Sequence, residues 1–594
     1  MNKILLVFIL FGPGLAKAQN IPPHRTSNWS NAGCIDTFSF IRTSLFLEDF
    51  FDVNDPLSFQ DSAFEHAINF LGNQSVRLII PEGTFYFKNS IQLKSNVHIQ
   101  GSGADKTILK FKPSNSPHAI IAHGKSTDST YQIMQDLNKG SSSLMLENTD
   151  GLKEGDWLKL SFNDDEFITS SWALNSVGQF FQISSTSGNS INLSETIRLN
   201  IPLTKRPVVE LIRPLRNIYI SDLKIEQENK NQNNGANIFF NLVVNSKIKS
   251  IHSKYSNFSH ITLNSSSRIS ISCSFFELAH EYGGGGKGYG IALQSTSDDN
   301  LIENNIFDHL RHSILLQSGA NGNVIAYNYS ENPYWTEPFF PEDAAGDLVL
   351  HGNFPYLNLF EGNICQNIVI DNSHGINGPF NTFFRNRALR YGLFMNDSPA
   401  SDQQNFIGNV ISEEEGSGFI PFFNIKGQDH LLTDNNFRGQ IVPFGSEISD
   451  KSSLYLTAKP EYFFNHPFPS IRPREEPQFL QIPAYQRYHS TNLNLTQCTG
   501  DSVVIEPTSK TLEFELADFK IQPNPCRDFI KLVNLKNKIY QYQILSSEGK
   551  WIKMGIIFGP EEIILLDKQT SGIYWVKITE KDTGITQIKK LIIQ

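Results

Sequence analysis

Apolar and polar residues recur through the middle of the chain with a period in the twenties. Between residues 300 and 437, six asparagines follow one another at steps of 23, 35, 23, 23 and 26 residues, each with an apolar residue three positions earlier. The asparagines are Asn305, Asn328, Asn363, Asn386, Asn409 and Asn435, and the apolar residues are Ile302, Ile325, Phe360, Phe383, Phe406 and Leu432. This period is typical of a solenoid, because one repeat cannot bury its own apolar face and must stack on its neighbours.

A second polar column lies five positions before the first. It consists of Asn300, Asn323, Asn358, Asn381, Gln404 and His430. Asparagine tolerates the left-handed backbone of a tight turn, and its side-chain amide can bond to the amides above and below it. The two columns therefore predict an all-β chain built on a right-handed parallel β-helix. One coil before Asn305 we place Ser272 in the asparagine position, at a step of 33 residues.

The N-terminus has the pattern of a secretory signal peptide. Lys3 is followed by an apolar run to Leu15 and then by Ala16-Lys17-Ala18, so residues 1–18 are predicted to be removed. The run is too short to span a bilayer, and no other run approaches its length, so we predict no transmembrane segment in the mature chain. Residues 19–45 are polar and are predicted to form an extended lead-in.

The next segment carries a family resemblance. An acidic stretch at residues 51–55, a helical pattern from Asp61, a strand at Arg77 and the turn Pro81-Glu82-Gly83-Thr84-Phe85 follow in order. This series resembles the opening of the pectate-lyase superfamily domain, in which the helix caps the end of a β-helix. We assign residues 46–490 to that domain. The asparagine period is lost between about 141 and 213, where short strands predict a small β insertion.

The last part of the chain forms a separate module. Residues 491–515 are a polar linker, and residues 516–594 contain Pro523-Asn524-Pro525, the turn Gly549-Lys550, the strand Gly572-Ile573-Tyr574 and a basic, apolar end. In this order they closely resemble the C-terminal sorting domain of type IX secretion cargo, a small β-sandwich. The resemblance implies passage through the periplasm, recognition by the type IX machinery, and then surface attachment or release.

The net charge limits the kinds of partner, and the cysteine content limits the number of disulfide bonds. The net charge of −10 argues against nucleic acid, since phosphate binding needs a basic face. Five cysteines without a CxxC motif are too few for a disulfide framework in a chain of 594 residues. We expect buried thiols, with one bridge as the alternative.

Two overlong coils predict loops on one side of the solenoid, where such insertions often bind ligands. The first contains Gly283–Gly286, which lack the context of a phosphate-binding loop and are expected to form a flap. From the two loops we select Tyr282, Lys287, Tyr334 and Trp335 as candidate substrate-binding residues.

The candidate catalytic residues come from a column of equal offsets. His351, His374 and Asp397 each lie seven positions before a member of the second polar column, and adjacent coils are spaced about 4.8 Å apart. We therefore predict one line on one flank, with Arg385 and Arg387 beside it as further catalytic candidates. Arg311 and His312, two coils earlier, are further candidates for substrate binding.

Each of these residues has a structural alternative. Stacked identical side chains in a β-helix often serve as ladders, and Arg385 or Arg387 alone would suit an ion pair with Glu361 or Asp371. In the insertion, Trp157 and Trp172 are candidates for a sugar site, although a tryptophan more often lies in the hydrophobic core.

Three function classes fit these residues. A polysaccharide lyase acting on a uronate chain needs a cation for the carboxylate, a base and an acid, which arginine, histidine and tyrosine supply. A glycoside hydrolase needs two carboxyl groups, and a surface adhesin needs neither. No acidic motif falls in register. Asp298-Asp299 and His351-Gly352 resemble parts of the polygalacturonase pattern, but their spacing of 53 residues is wrong for adjacent coils. We therefore favour the lyase. The family resemblance makes Ca²⁺ a candidate cofactor, although the coils contain no carboxylate cluster at ligand spacing.

Overall fold

The protein is described from a computed structural model. The described residues are 21–35, 43–50, 60–70, 75–114, 116–230, 235–337, 341–412, 421–475, 481–491, 494–498, 519–533, 539–546, 550–558, 560–566, 569–580 and 586–594. The predicted signal peptide, the acidic segment 51–55, most of the linker and the Gly549 turn position lie outside them.

The chain winds into a parallel β-helix in which each coil contributes strands to three faces, here called sheets A, B and C in chain order. Sheet A pairs its strands in parallel, coil upon coil. Its strands are Thr43–Phe46, Val76–Ile79, Val97–Gln100, Leu215–Arg216, Ile218–Ser221, Val243–Lys249, Ser267–Ser272, Leu301–Glu303, Val324–Ala326, Leu359–Glu361, Thr382–Phe384, Asn405–Ile407 and Leu431–Thr433.

Sheets B and C merge where two long strands, Ile364–Ile370 and Arg387–Met395, run through both. The other strands of sheet B are Gly83–Phe87, Thr107–Phe111, Lys224–Gln227, His252–Ser256, Phe275–Ala279, Ile306–Asp308, Tyr329–Glu331, Val410–Ile411, Asn435–Phe437 and the antiparallel Gln440–Val442. The other strands of sheet C are Ile91–Gln92, Ile120–His123, Ala236–Asn241, Ser259–Asn264, Tyr289–Gln294, His312–Leu316, Leu348–Leu350 and Phe422–Asn424.

Both polar columns form ladders of hydrogen bonds. Asn328 Oδ1 accepts from the backbone N–H of Asn305 and from its side-chain amide, each at 3.0 Å, and the same pair of bonds recurs at each step to Asn435. The second ladder repeats this from Asn300 to Asn381. The ladders satisfy buried backbone donors at the two ends of each sheet A strand, which fixes the register between coils.

The apolar column fills the centre of the solenoid. Phe360, Phe383 and Phe406 stack with ring centroids 4.7 and 5.4 Å apart, and all are buried. The ladder also corrects one position: Asn305 Oδ1 accepts from the N–H of Ser274, so Ser274, not Ser272, occupies the asparagine position, 31 residues before Asn305.

The N-terminal end of the solenoid is capped as predicted. The helix Asp61–Phe70 covers the first coils with Phe64 and Ala67 buried against them. Residues 21–35 of the lead-in lie along the outside of the β-helix, where short 3-10 turns at Pro23–Arg25 and Trp29–Asn31 make contact. Trp29 is buried there and donates its indole N–H to the Leu357 carbonyl at 2.7 Å.

The insertion begins earlier than the sequence indicated. Its antiparallel sheet consists of Lys125–Gln132, Ser143–Met145, Trp157–Ser161, Gly178–Ser187, Ser190–Leu193 and Val208–Arg213. The strand Lys125–Gln132, which we expected in a coil, pairs with Val208–Arg213. The insertion therefore leaves the solenoid directly after a sheet C strand and returns at sheet A, at the corner where sheet C passes into sheet A.

After the last coil the described residues 443–475, 481–491 and 494–498 run back along the solenoid and include the helix Pro483–His489. A disulfide joins Cys498 to Cys273, so the alternative of one bridge is the correct one, while Cys365 and Cys526 are buried thiols. Residues 494–498, which we assigned to the linker, are thus held against the β-helix.

The C-terminal domain is a small β-sandwich of antiparallel sheets. One consists of Lys520–Gln522, Phe529–Val533 and Glu562–Leu565, and the other of Ile539–Ser546, Trp551–Phe558, Gly572–Glu580 and Thr586–Ile593. It has its own core, including Ile530, Ile544 and Val576. Trp575 also packs on Phe50 at the capped end of the solenoid, with ring centroids 4.5 Å apart. Among the described residues no helix is long and apolar enough to cross a bilayer.

Candidate functional site

The outer face of sheet C forms the floor of a cleft. Two walls rise from opposite corners of the coil: the insertion leaves where sheet C passes into sheet A, and the loop at Gly283–Gly286 enters where sheet B passes into sheet C. Between them lies a cavity of about 620 Å³. It is lined by His118, Trp172, Phe239, Phe258, Thr262, Gly285, Gly286, Tyr289, Gln294, Arg311, Gln317, His351, Ser373 and His374.

His351 and His374 lie together in this cavity. Their ring centroids are 4.9 Å apart at an interplanar angle of 80°. The Nδ1 atom of His351 is 2.5 Å from Asp371 Oδ2, and that carboxylate also accepts from the N–H and hydroxyl of Ser373 at 2.7 and 2.8 Å. The carboxylate of the site is therefore Asp371, three residues before His374.

The charge state of this pair follows from its contacts. Burial alone would raise the pKa of Asp371, but the contact with His351 and the hydrogen bonds from Ser373 hold it well below its usual range. Burial, together with the nearby His351, lowers the pKa of His374. At neutral pH the carboxylate is thus ionised and the imidazole of His374 is neutral.

The predicted line from His351 through His374 to Asp397 is corrected in its register. Leu350 pairs with Ile370 and Ile370 with Met395, so His351 is level with Asp371 and then with Asn396. Asp397 lies one position further, with 64% of its side chain exposed and Lys426 Nζ at 3.7 Å. Equal offsets failed here because the turn after Asp371 has three more residues than the turn after His351.

The glycines after the two histidines allow close packing of turns. Gly352 has φ of +77°, and a Cβ there would lie 2.6 Å from the backbone carbon of His374. Gly375 has φ of +83°, and a Cβ there would meet Thr169 of the insertion at 2.7 Å. These positions bring the two histidines and the insertion together.

The insertion contributes one wall of the site. Ser170 Oγ is 3.2 Å from His374 Nδ1, and Trp172 approaches the His374 ring edge-on at 5.9 Å between centroids. The Trp172 side chain is 53% exposed, whereas Trp157 is buried in the core. Of the two tryptophans, Trp172 therefore has the position expected of a sugar-binding residue.

Arg311 and Tyr289 form the opposite wall, and His312, selected from the sequence for substrate binding, is not among the lining residues but is buried against Tyr289 and His351. His312 is buried and donates Nδ1–H to the Gly346 carbonyl at 2.7 Å, so its neutral ring carries the lone pair on Nε2. Its ring centroid lies 5.1 Å from that of Tyr289 and 5.8 Å from that of His351. Burial, then the charge of Arg311, keeps the pKa of His312 well below its ordinary value.

Arg311 is held over this wall by the glycine loop. Its Nη1 donates to the Gly283 carbonyl at 2.6 Å, and its guanidinium lies 5.7 Å from the Tyr289 ring centroid and 5.5 Å from that of Trp335. The buried Nε–H of Arg311 has no hydrogen-bond acceptor among the described residues. This side chain is thus the cation that the cavity offers to an anionic ligand.

The other loop residues selected from the sequence lie beside the cavity. Tyr282 and Tyr334 pack with His309, with centroid distances between 4.6 and 5.1 Å. Tyr334 lines a second, smaller cavity of about 390 Å³ that also contains Glu342 and Asp343. Lys287 forms an ion pair with Glu281.

Arg385 and Arg387 are not in the cleft, which corrects their placement. Both lie near the corner between sheets A and B, not at the corner that holds His374. Arg385 is buried and donates to the carbonyls of Ile471 and Ser449 at 3.1 and 3.0 Å. It therefore holds the returning C-terminal segment to the solenoid, and Arg387 begins the strand that pairs with Ile364 and Val410.

Three further acidic residues, Asp298, Asp299 and Asp347, are buried outside the cavity lining. Asp298 and Asp299 both contact the guanidinium of Arg198, which ties the insertion to the coils. Asp347 accepts hydrogen bonds from Ser330 and from the N–H of Asn367, and burial raises its pKa to about 7. Within the described part of the chain, no three His, Cys, Asp or Glu side chains are grouped to hold a metal ion, so we derive no step through Ca²⁺.

The C-terminal domain matches a known family model. Residues 520–594 match the secretion system C-terminal sorting domain. The protein is therefore cargo of a secretion system, exported to the medium or the cell surface. No curated protein sequence matches the chain.

The solenoid has distant structural likenesses. The tailspike protein gp49 of Pseudomonas phage LKA1 is 13% identical over 68% of this chain and 82% of its own, with a TM-score of 0.38. An exopolygalacturonase from Thermotoga maritima is 13% identical over 68% and 82%, with a TM-score of 0.31. The surface protein and adhesin PfbA of Streptococcus pneumoniae is 12% identical over 65% and 100%, with a TM-score of 0.32. These proteins differ in function, and the strand pairing of the chain itself defines its fold.

Proposed function

We propose that the cleft binds an acidic polysaccharide and cleaves it by β-elimination. The observation that carries this proposal is the composition of the cavity wall: among its described lining residues, arginine, histidine and tyrosine are present and no carboxylate is. A hydrolase needs two carboxyl groups about 5–9.5 Å apart across the scissile bond. The nearby Asp371 is engaged by His351 and Ser373, so the wall lacks that pair.

Each requirement of a lyase has a candidate in the wall. Arg311 neutralises the uronate carboxylate, which makes the proton at C5 easier to remove. His374 is neutral at mild pH and takes that proton. The electron pair forms the C4=C5 double bond as the C4–O bond breaks, and the leaving oxygen takes a proton from Tyr289. Burial raises the pKa of Tyr289, so its phenol is protonated in the resting protein.

His351 is a positioning residue in this scheme. Asp371 fixes its Nδ1 side, and its ring lies between those of His312 and His374. Its remaining ring nitrogen is therefore available for a hydrogen bond to the substrate or to His374. The sorting domain agrees with this function, since a polysaccharide is met outside the cell.

The test is incubation of the full mature chain with a panel of acidic and neutral polysaccharides. Ultraviolet absorbance of an unsaturated product is expected with an acidic polymer. His374→Ala should lower kcat by about 10²–10⁴-fold, and Arg311→Ala should mainly raise KM. His123→Ala is the matched control, because this exposed residue lies at the same corner in an early coil. New reducing ends without absorbance would identify a hydrolase, and binding without cleavage would identify an adhesin.

A further inference from the structure

The cleft changes in character along the solenoid axis. Arg311, His351 and His374 come from later coils, whereas His118, Phe239, Phe258 and Thr262 come from earlier ones. Phe239 and His351 lie on sheet C strands or their ends four coils apart, which is about 19 Å at the spacing between parallel strands. The cavity is therefore long enough for several sugar units with the chain along the axis.

Phe239 lines the early part of the cleft and is partly exposed. It belongs to the outward-facing column that continues through Thr262 and Ala292 in the next two coils. On the other side His118 stacks on it, with ring centroids 4.2 Å apart and planes at 12°. Thr262 is the next residue of this column, and among the described residues no second ring packs against Phe239.

The polar groups beside this ring suit hydroxyl groups. His118 Nδ1 accepts the N–H of Ala236 at 2.9 Å, so its proton lies on Nε2, which is left as a donor. Burial lowers the pKa of His118 to about 4, so the ring is neutral at neutral pH. Further along the floor, Gln317 donates one amide proton to Gln294 Oε1 at 2.9 Å, which leaves the amide oxygen of Gln317 and the NH₂ group of Gln294 for a ligand.

From this geometry we infer a distal subsite, formed by Phe239, His118 and Thr262, that takes the apolar face of an uncharged sugar unit. The inference rests on the proposed function and extends it to the substrate class. None of the described residues lining this end offers a cation to a second carboxylate. The substrate is therefore a heteropolysaccharide in which uronate units are joined to uncharged sugars, not a polymer of uronate alone.

The experiment compares two acidic polymers with the full mature chain. Polygalacturonate carries a carboxylate on every unit, and a rhamnogalacturonan backbone alternates uronate with an uncharged sugar. Retardation in gels containing each polymer is measured with His374→Ala, which does not consume the ligand, and KM and kcat are measured with the parent. We expect stronger retardation and a lower KM with the alternating polymer.

Variants at the ring separate the subsite from the reaction. Phe239→Ala should raise KM for the alternating polymer by about tenfold, on the scale of one aromatic contact, with kcat unchanged, and Phe239→Tyr should restore it. Phe394→Ala is the matched control, because Phe394 occupies the same outward column beyond the cavity.

The possible outcomes distinguish failure of the subsite from failure of the lyase proposal. If Phe239→Ala behaves like Phe394→Ala, or if polygalacturonate is the better ligand, the subsite is wrong while the lyase proposal stands. If the parent chain neither cleaves nor is retarded by either polymer, both proposals are overturned.

Discussion

Replacing Asp371 by asparagine tests the centre of the proposed site with a minimal change. The amide keeps the size of the carboxylate and its capacity to accept from Ser373, but it removes the charge 2.5 Å from His351 Nδ1. The two side chains are only 9% and 18% exposed, so solvent screens this contact little. The N–H and hydroxyl of Ser373 donate to the charged carboxylate, and a hydrogen bond to a charged group contributes about 1.5–3 kcal/mol. We expect Asp371→Asn to lower the free energy of unfolding by about 2 kcal/mol at pH 7.

The pH dependence of this loss has a defined sign. Since the folded-state pKa of Asp371 is depressed, its stabilisation is present above the unfolded-state value of about 3.9 and is lost as pH falls through the folded-state value. Urea unfolding should therefore separate variant and parent widely at pH 7 and progressively less in strong acid. Asp397→Asn, exposed at the same corner, is the control and should change stability by less than about 0.5 kcal/mol.

Turnover gives the second readout of the same variant. Without the carboxylate the His351 ring loses its fixed orientation, so kcat should fall by about 10²-fold. The reasoning is refuted if Asp371→Asn matches the parent in both unfolding at pH 7 and cleavage. A loss of stability with full turnover would restrict Asp371 to a structural role.

Three further predictions concern the frame and its export. Phe383→Ala should cost about 3–5 kcal/mol in urea unfolding, because the ring is fully enclosed by its stack; a smaller change than at an exposed control would contradict the stack. Burial raises the pKa of Glu361 from 4.5 to about 7, so between these pH values the folded protein holds a proton that the unfolded chain releases. The free energy of unfolding should therefore fall as pH rises through this range, and Glu361→Gln should reduce this pH dependence. Truncation before Phe519 should leave the β-helix folded by circular dichroism but retained in the periplasm by cell fractionation.

The frame of the solenoid was predictable because its signal is strictly repeated. Asn305 and Asn328 occupy one chemical role in adjacent coils, and the hydrogen bonds that join them demand the same residue type each time. The same holds for the buried phenylalanines. The sorting domain was predictable for another reason, since its motifs, among them Pro523-Asn524-Pro525, occur together in order.

The site was predictable only in part. The shared His–Gly pattern located His351 and His374, but their distance from the ladder did not identify the carboxylate, because the turn between sheet C and sheet A varies in length between coils. Asp371 immediately follows the sheet C strand that ends at Ile370, just as His351 immediately follows the strand that ends at Leu350. This equivalence is not visible when residues are counted from the asparagine ladder. Counting from strand ends would have aligned the pair.

The walls of the cleft could not be derived from periodicity at all. Trp172 and Ser170 belong to an insertion whose sheet pairs with itself, so no register relates them to the coils. Their position depends on buried contacts far apart in sequence, above all the pairing of Arg198 with Asp298 and Asp299. Because an unpaired buried charge is costly, this pairing fixes where the insertion sits. The repeated coils thus supply the floor and the histidines, and the non-repeating segments decide how much of a polysaccharide chain the cleft encloses.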